Sequence, residues 1–185
     1  MRILDQAYFS QSAVTLAPDL IGKLLCRRIG QAGDAEGEIL RLRITETECY
    51  FGEEDTACHA HKGRTPRTDV MYREGGRAYV YLCYGMHHLL NLTTGPEGHP
   101  EAVLIRGVEG VSGPGRLTKR LAIDRSQNTL LLTPENGLWL EDDGVRLDLQ
   151  TTARIGIDYA QAEDRERLWR FVAKEKQEKI KAIKL

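Results

Sequence analysis

At 185 residues, with 41% hydrophobic and 29% charged side chains, the chain has the size and balance of one soluble globular domain spanning 1–185, able to bury a substantial core. A net charge of -1 gives no average pull toward polyanions. No signal-peptide pattern opens the sequence and no apolar run approaches membrane-spanning length, so a soluble, cytoplasmic protein with no membrane partner is expected.

In chain order, residues 7–29 are expected to combine an extended start with a helix opened by Ala17-Pro18-Asp19, because Leu20, Ile21, Leu24 and Leu25 have helical spacing. Gly30 to Gly37 reads as a hairpin loop before a strand at 38–50. In that strand Leu40, Leu42, Ile44, Glu46, Glu48 and Tyr50 alternate with Arg41, Arg43, Thr45 and Thr47, so a core-type row ends in two acids and a tyrosine opposite a solvated row. An unpaired buried carboxylate costs several kcal/mol (about 2–7 for a polar group, more when charged), which makes such acids candidates for chemistry. The plain alternative is that the strand ends there and both acids turn to water.

Gly52 to Gly76 has little periodicity, and a loop that long inside a domain is functional or disordered. Strands are predicted at 77–83 and 87–94 around a tight turn, Tyr84-Gly85-Met86, with another at 101–109. Arg116–Ile123 reads as a short basic helix, and 137–149 as two short strands around Asp142-Asp143-Gly144. Residues 163–184 read as a charged helix docking through Leu168, Phe171 and Val172, frayed from about 175 to 185. The class these elements imply is α+β with a largely antiparallel sheet.

Tyr79 and Tyr81 share a strand face, and Tyr84 falls at the hairpin turn. A large aromatic there is costly in water unless it packs or binds something; beside basic loops it suits a wedge in a base stack, whereas Tyr79 suits the core with a wet hydroxyl. The basic residues gather at 62–77 and 106–125 and the acids elsewhere, notably Glu135, Glu141, Asp142, Asp143 and Asp148; one basic face opposite an acidic one fits a nucleic-acid binder. The cysteines, Cys26, Cys49, Cys58 and Cys83, form no CxxC pair, and two in strand-like runs suit reduced thiols. His59-Ala60-His61 stands without a matching ligand pair, so no metal is assigned. Neither a Walker loop nor GxGxxG is present, and no cofactor is expected.

Several blocks, in order, carry a resemblance: Thr45-Glu46-Thr47-Glu48-Cys49-Tyr50, Glu54-Asp55-Thr56-Ala57-Cys58-His59, Tyr79-Val80-Tyr81 with Tyr84-Gly85-Met86, Asn91, Val103-Leu104-Ile105-Arg106, and Gly113-Pro114-Gly115 with Leu117. From about Tyr8 to about Val172 the sequence resembles the alkyladenine DNA glycosylases, the 3-methyladenine and hypoxanthine DNA glycosylase family. The resemblance implies a curved antiparallel sheet like the C-terminal domain of methionyl-tRNA formyltransferase, with a projecting hairpin. It implies a monomeric, monofunctional enzyme whose partner is duplex DNA holding a damaged purine, working without metal or lyase activity. By the same resemblance Glu48 would be the general base, with Arg106 and the backbone carbonyl of Ile155 holding the water. Tyr50, His59 and Tyr81 would form the base pocket, the His59 amide reading the base edge. Tyr84 would fill the gap in the duplex and Asn91 would crowd the amino group of guanine. No family role falls on Glu46, which reads as structural. Cys49 replaces the family's alanine, and Arg106-Gly107-Val108-Glu109-Gly110 departs from its usual strand end. Two rivals stand beside this reading: a non-catalytic nucleic-acid-binding module of the same shape, indifferent to change at Glu48, and a metal hydrolase using His59 and His61.

Overall fold

The computed structural model of the chain describes residues 1–30 and 37–174. Most of the loop expected at 30–37, and the helical tail expected at 175–185, lie outside them.

The elements are β1 (Arg2–Ile3), α1 (Gln6–Phe9), α2 (Ala13–Asp19), β2 (Leu24–Ile29), β3 (Glu38–Phe51), β4 (Ala78–Cys83), β5 (His87–Thr93), β6 (Glu101–Val108), β7 (Val111–Ser112), α3 (Pro114–Arg120), β8 (Leu138–Asp142), β9 (Leu149–Thr152), α4 (Ala162–Glu166) and β10 (Arg170–Ala173). The strands form one antiparallel sheet, with main order β1-β8-β2-β3-β6-β5-β4. β10 adds to β3 beside β2 and carries β9. Helices α2 and α3 pack on one face of this sheet over the main core, which includes Leu16, Leu25, Ile44, Val80, Leu92, Ile105 and Leu117. The class is α+β, as expected. Among the described residues no helix is long and apolar enough to cross a membrane.

Three expectations are corrected. The helix expected to open at Ala17 starts earlier, as α2: Ser12 caps it by accepting from Val14 N–H, and it closes at Asp19. Leu24 and Leu25 belong to β2. Leu25 faces the main core, while Leu24 and Cys26 pack with Trp139 on the other side. A strand buried on both faces is a continuous apolar run, which periodicity does not separate from a helix. The long C-terminal helix is the second. α4 ends at Glu166, Leu168 is 57% exposed, and Phe171 and Val172 sit in a strand opposite Thr47 and Glu46. The third concerns 137–149: the first strand forms as β8, but residues 143–148 form no strand and β9 begins only at Leu149.

The decisive local feature lies in β3. Ile44 pairs with Val108, Glu46 with Gly107 and Thr47 with Ile105, so the register shifts on both sides of Glu46. Ile44 and Val108 face the main core, and so does Ile105; Thr47 is fully buried with its hydroxyl on the Ala17 carbonyl of α2. Three residues rather than two therefore separate core-facing positions on both strands, as at a β-bulge. The phase of the alternation reverses. Cys49 and Phe51 continue the core row, whereas Glu46, Glu48 and Tyr50 turn to the opposite face. Thr47, expected in a solvated row, is instead core.

Candidate active site

On that opposite face the pairing aligns one row across five strands: Arg170 of β10, Glu48 of β3, Leu104 of β6, Asn91 of β5 and Tyr79 of β4. Tyr50, Ala102, Leu89 and Tyr81 lie in neighbouring rows of the same face. The 52–76 loop folds over it as two 3₁₀ turns, His59–Lys62 and Asp69–Tyr72, and buries Met71 and Tyr72 against Tyr79. Residues 155–159 close the remaining side. Together they enclose a cavity of about 420 Å³ lined by Tyr50, His59, Tyr81, Asn91, Arg106 and Ile155 among others, within the range of small-ligand sites.

Glu48 is fully buried behind the cavity wall, and its two oxygens are met by three donors from residues that line the cavity, Tyr50, Arg106 and Ile155. Ile155 N–H donates to Oε1 at 2.8 Å, Tyr50 Oη–H to Oε2 at 2.9 Å, and Arg106 Nη1 approaches Oε2 at 3.4 Å. Burial pushes the carboxyl above its ordinary range; Arg106, the Ile155 amide and the Tyr50 hydroxyl oppose that push, and Glu46 adds to it. Tyr50 is itself driven up by burial and the neighbouring carboxylate, so its hydroxyl remains a donor. Glu46 holds Arg106 from behind: its Oε1 accepts from Arg106 Nε at 2.8 Å and from Arg170 Nε at 2.7 Å. Its structural reading stands, with a specific object.

The expected residues thus converge, with changes of detail. Ile155 reaches Glu48 through its amide, a contact not expected from the sequence. His59 stands edge-on to Tyr81 at 4.6 Å, and its Nδ1 bonds the Tyr79 hydroxyl at 2.9 Å. Tyr79 is core, as read, but its hydroxyl meets this histidine rather than water. Burial, then Arg67, lowers His59 to about 4, so the ring is neutral near pH 7. His61 bonds the Glu53 carbonyl instead, so the two histidines do not converge as ligands. Asn91 is buried on the cavity wall and donates to the Tyr79 carbonyl at 3.2 Å.

Tyr84 stands at the tip of the β4–β5 hairpin and is 88% exposed, with Met86 and Leu82 exposed beside it. Tyr84 and Gly85 have φ of 49° and 69°, and Met86 N–H donates to the Cys83 carbonyl. That is the primed turn that matches strand twist, and it asks a bulky tyrosine to accept a left-handed backbone. α3 supports the return strand. Thr118 bonds the His88 carbonyl, and a Cβ at Gly115 would come within 2.9 Å of the His87 side chain. Arg116, Lys119 and Arg120 of α3 are exposed and pair with no acid among the described residues. Of the acidic residues, by contrast, the run 141–143 is matched: Glu141 pairs with Arg41, Asp142 with Lys23 and Arg146, and Asp143 with Arg43.

A model of the methylpurine-DNA glycosylase family matches residues 7–113 and 110–177. The chain belongs to that family. Proteins provisionally named 3-methyladenine DNA glycosylase are similar over nearly their whole length. That of Psychrobacter cryohalolentis is 45% identical over 92% of this chain and 91% of its own. That of Borreliella afzelii is 45% identical over 91% and 94%, and that of Rickettsia felis 41% identical over 92% of each.

The site of this methylpurine-DNA glycosylase family member also uses residues that sequence reasoning missed. Asp55 and Arg154 form a fully buried, two-pronged ion pair at 2.6 and 2.8 Å. Arg154 also donates to the carbonyl of Cys49, the residue between Glu48 and Tyr50, and its own successor is Ile155. Its guanidinium lies 4.9 Å from the Tyr50 ring centroid. Tyr159 donates to the Ala57 carbonyl and Arg67 lies over the Tyr81 ring, both on the cavity wall. An aspartate in the 52–76 loop and an arginine about a hundred residues later have no shared spacing, so nothing in the sequence links them.

Proposed function

We propose that this protein is a monofunctional DNA glycosylase. It flips 3-methyladenine, 7-methylguanine, hypoxanthine or ethenoadenine out of duplex DNA and hydrolyses the N-glycosidic bond, starting base excision repair with no lyase step. The observation that carries this is a fully buried carboxylate gripped by three residues of the wall of a cavity that tyrosines and a neutral histidine also line. Aromatic faces with few polar groups suit a flipped base.

In this reading Glu48, ionised, takes a proton from water as the water oxygen bonds C1′; the C1′–N bond breaks and the base leaves with its electron pair. Arg106, fixed by Glu46, and the backbone carbonyl of Ile155 hold that water, while the Ile155 amide orients the carboxylate. Positively charged 3- or 7-alkylpurines leave readily, so no second acid is needed, unlike the paired acids of sugar hydrolases. Tyr50 and Tyr81 enclose the base, the His59 amide reads its edge, and Asn91 excludes the 2-amino group of guanine. Tyr84 fills the gap left in the duplex, while α3 and the basic loop neutralise phosphates. The reading extends to a single monomeric domain of the methionyl-tRNA formyltransferase C-terminal type.

The test is to incubate the protein, with chelator present, with duplexes containing hypoxanthine, ethenoadenine or alkylated purines, and to assay free base and abasic sites. The expected result is base release by the parent and none by Glu48→Gln. Binding without release by the parent would establish the non-catalytic module instead, and dependence on metal would establish the hydrolase rival.

A further inference from the structure

One positive charge of the basic loop, Arg67, is turned onto the cavity wall, where the roles above give it no part in the pocket. Arg67 sits on the loop that folds over the site, and its Cζ lies 4.8 Å from the Tyr81 ring centroid. Its Nη2 comes within 3.3 and 3.5 Å of the two ring nitrogens of His59. Its neighbours Arg64 and Arg73 both pair with Asp69, whereas Arg67 meets no acid among the described residues. Arg106, another cation on the wall, is matched by Glu46 and Glu48. His59 is neutral near pH 7. Arg67 is thus an uncompensated charge resting on a ring that the base would use.

That position bears on the bases the site would accept. Alkylation at N3 or N7 of a purine places a formal positive charge on the ring system; hypoxanthine and ethenoadenine are neutral. An aromatic quadrupole attracts a cation, and Tyr81 already holds one. A second cation against the same ring meets repulsion from the first, on whichever side of the ring it stacks. A neutral base is free of that repulsion and can stack on the guanidinium plane as readily as on a ring.

We propose that Arg67 is a specificity-determining residue that biases the site against positively charged alkylpurines and toward neutral damaged bases. The inference rests on the glycosylase reading given above. Its test compares single-turnover release of 3-methyladenine from methylated DNA with release of hypoxanthine from a defined duplex, for the parent, Arg67→Gln and Arg67→Lys. The side chain is exposed, so all three are expected to fold.

Arg67→Gln should raise the 3-methyladenine-to-hypoxanthine rate ratio by about three- to thirtyfold, the span between an exposed and a desolvated cation–π contact. Arg67→Lys, which keeps the charge, should leave the ratio near the parent value. In an NMR titration of the DNA-free protein, His59 should titrate higher in Arg67→Gln than in the parent, because one of the two causes of its lowering is gone. The proposal is overturned if Gln leaves the ratio unchanged, or if Lys raises it as much as Gln does. It is also overturned if both rates fall together with a salt slope smaller by about one, which would mark Arg67 as a phosphate contact. A parent that releases neither base refutes the glycosylase reading itself; an active parent with an unmoved ratio refutes only the role of Arg67.

Discussion

Asp55→Asn is the perturbation that reaches furthest into this molecule. Both members of the Asp55 and Arg154 pair are fully buried. Asp55 also accepts from the Ala57 and Phe51 amides, and Arg154 also donates to the Cys49 and Asp164 carbonyls. Asparagine keeps the shape but leaves the guanidinium charge without its counter-ion in the interior. Breaking a buried pair from one side costs about 3–5 kcal/mol. In a domain of this size each kcal/mol moves Tm by about 2–4 °C, so a fall of roughly 6–20 °C is expected by thermal denaturation.

The pair holds the Cys49 carbonyl, between Glu48 and Tyr50, and the residue before the Ile155 amide that bonds Glu48. A loosened clamp weakens a hydrogen bond that favours the carboxylate. The acid limb of the single-turnover pH profile should therefore move to higher pH, measured below the variant's Tm. The double variant Asp55→Leu with Arg154→Met removes both charges, and should recover most of the stability but not the position of the acid limb. If Asp55→Asn melts within about 2 °C of the parent, less than 1 kcal/mol on the same scale, and its acid limb is unmoved, the clamp has neither role.

Glu48→Gln should lower base release by at least the 10² to 10⁴ that general-base catalysis supplies, while duplex binding persists; excision within about tenfold of the parent would exclude Glu48 as the base. Burial raises the Glu48 carboxyl in the folded state, so the parent should lose activity as pH falls through a value above the usual carboxylate range. The same shift means that the folded state binds this proton more tightly than the unfolded chain does. The carboxylate therefore costs stability near pH 7–8, and Glu48→Gln should melt higher there, with a gain that shrinks as pH drops through the folded pKa. Tyr84→Ala should weaken a fluorescent base-analogue signal of flipping more than it weakens binding to undamaged duplex, because the wedge goes while phosphate contacts stay; an unchanged signal removes the wedge. Asn91→Ala should raise excision of normal guanine relative to hypoxanthine, and a parental ratio in a folded, active variant would leave Asn91 with only its bond to the Tyr79 carbonyl.

Local chemistry made several features legible from residue order. The turn at Tyr84-Gly85-Met86 needs left-handed backbone, and the flanking runs alternate, so the hairpin and its exposed tyrosine could be read directly. The 38–50 strand was visible, and so was the oddity of Glu48 within it. A strict alternation put Glu48 in the core row, whereas the register shift at Ile44, Glu46 and Thr47 sends it to the opposite face. A bulge depends on the partner strand, here Gly107 and Ile105, so one strand's own alternation does not say where its phase will slip.

Pairing across long separations likewise decided the C-terminal segment. Charged residues at 163–173 suit a solvated helix by propensity, yet Arg170 and Phe171 gain partners in Glu48 and Thr47, more than a hundred positions earlier, by extending as β10. The ion pair of Asp55 with Arg154 and the lodging of Arg67 on Tyr81 belong to the same class. A charge in a sequence has no stated partner. Only the folded chain decides whether it is solvated, matched in the interior, or left uncompensated on the wall of a site.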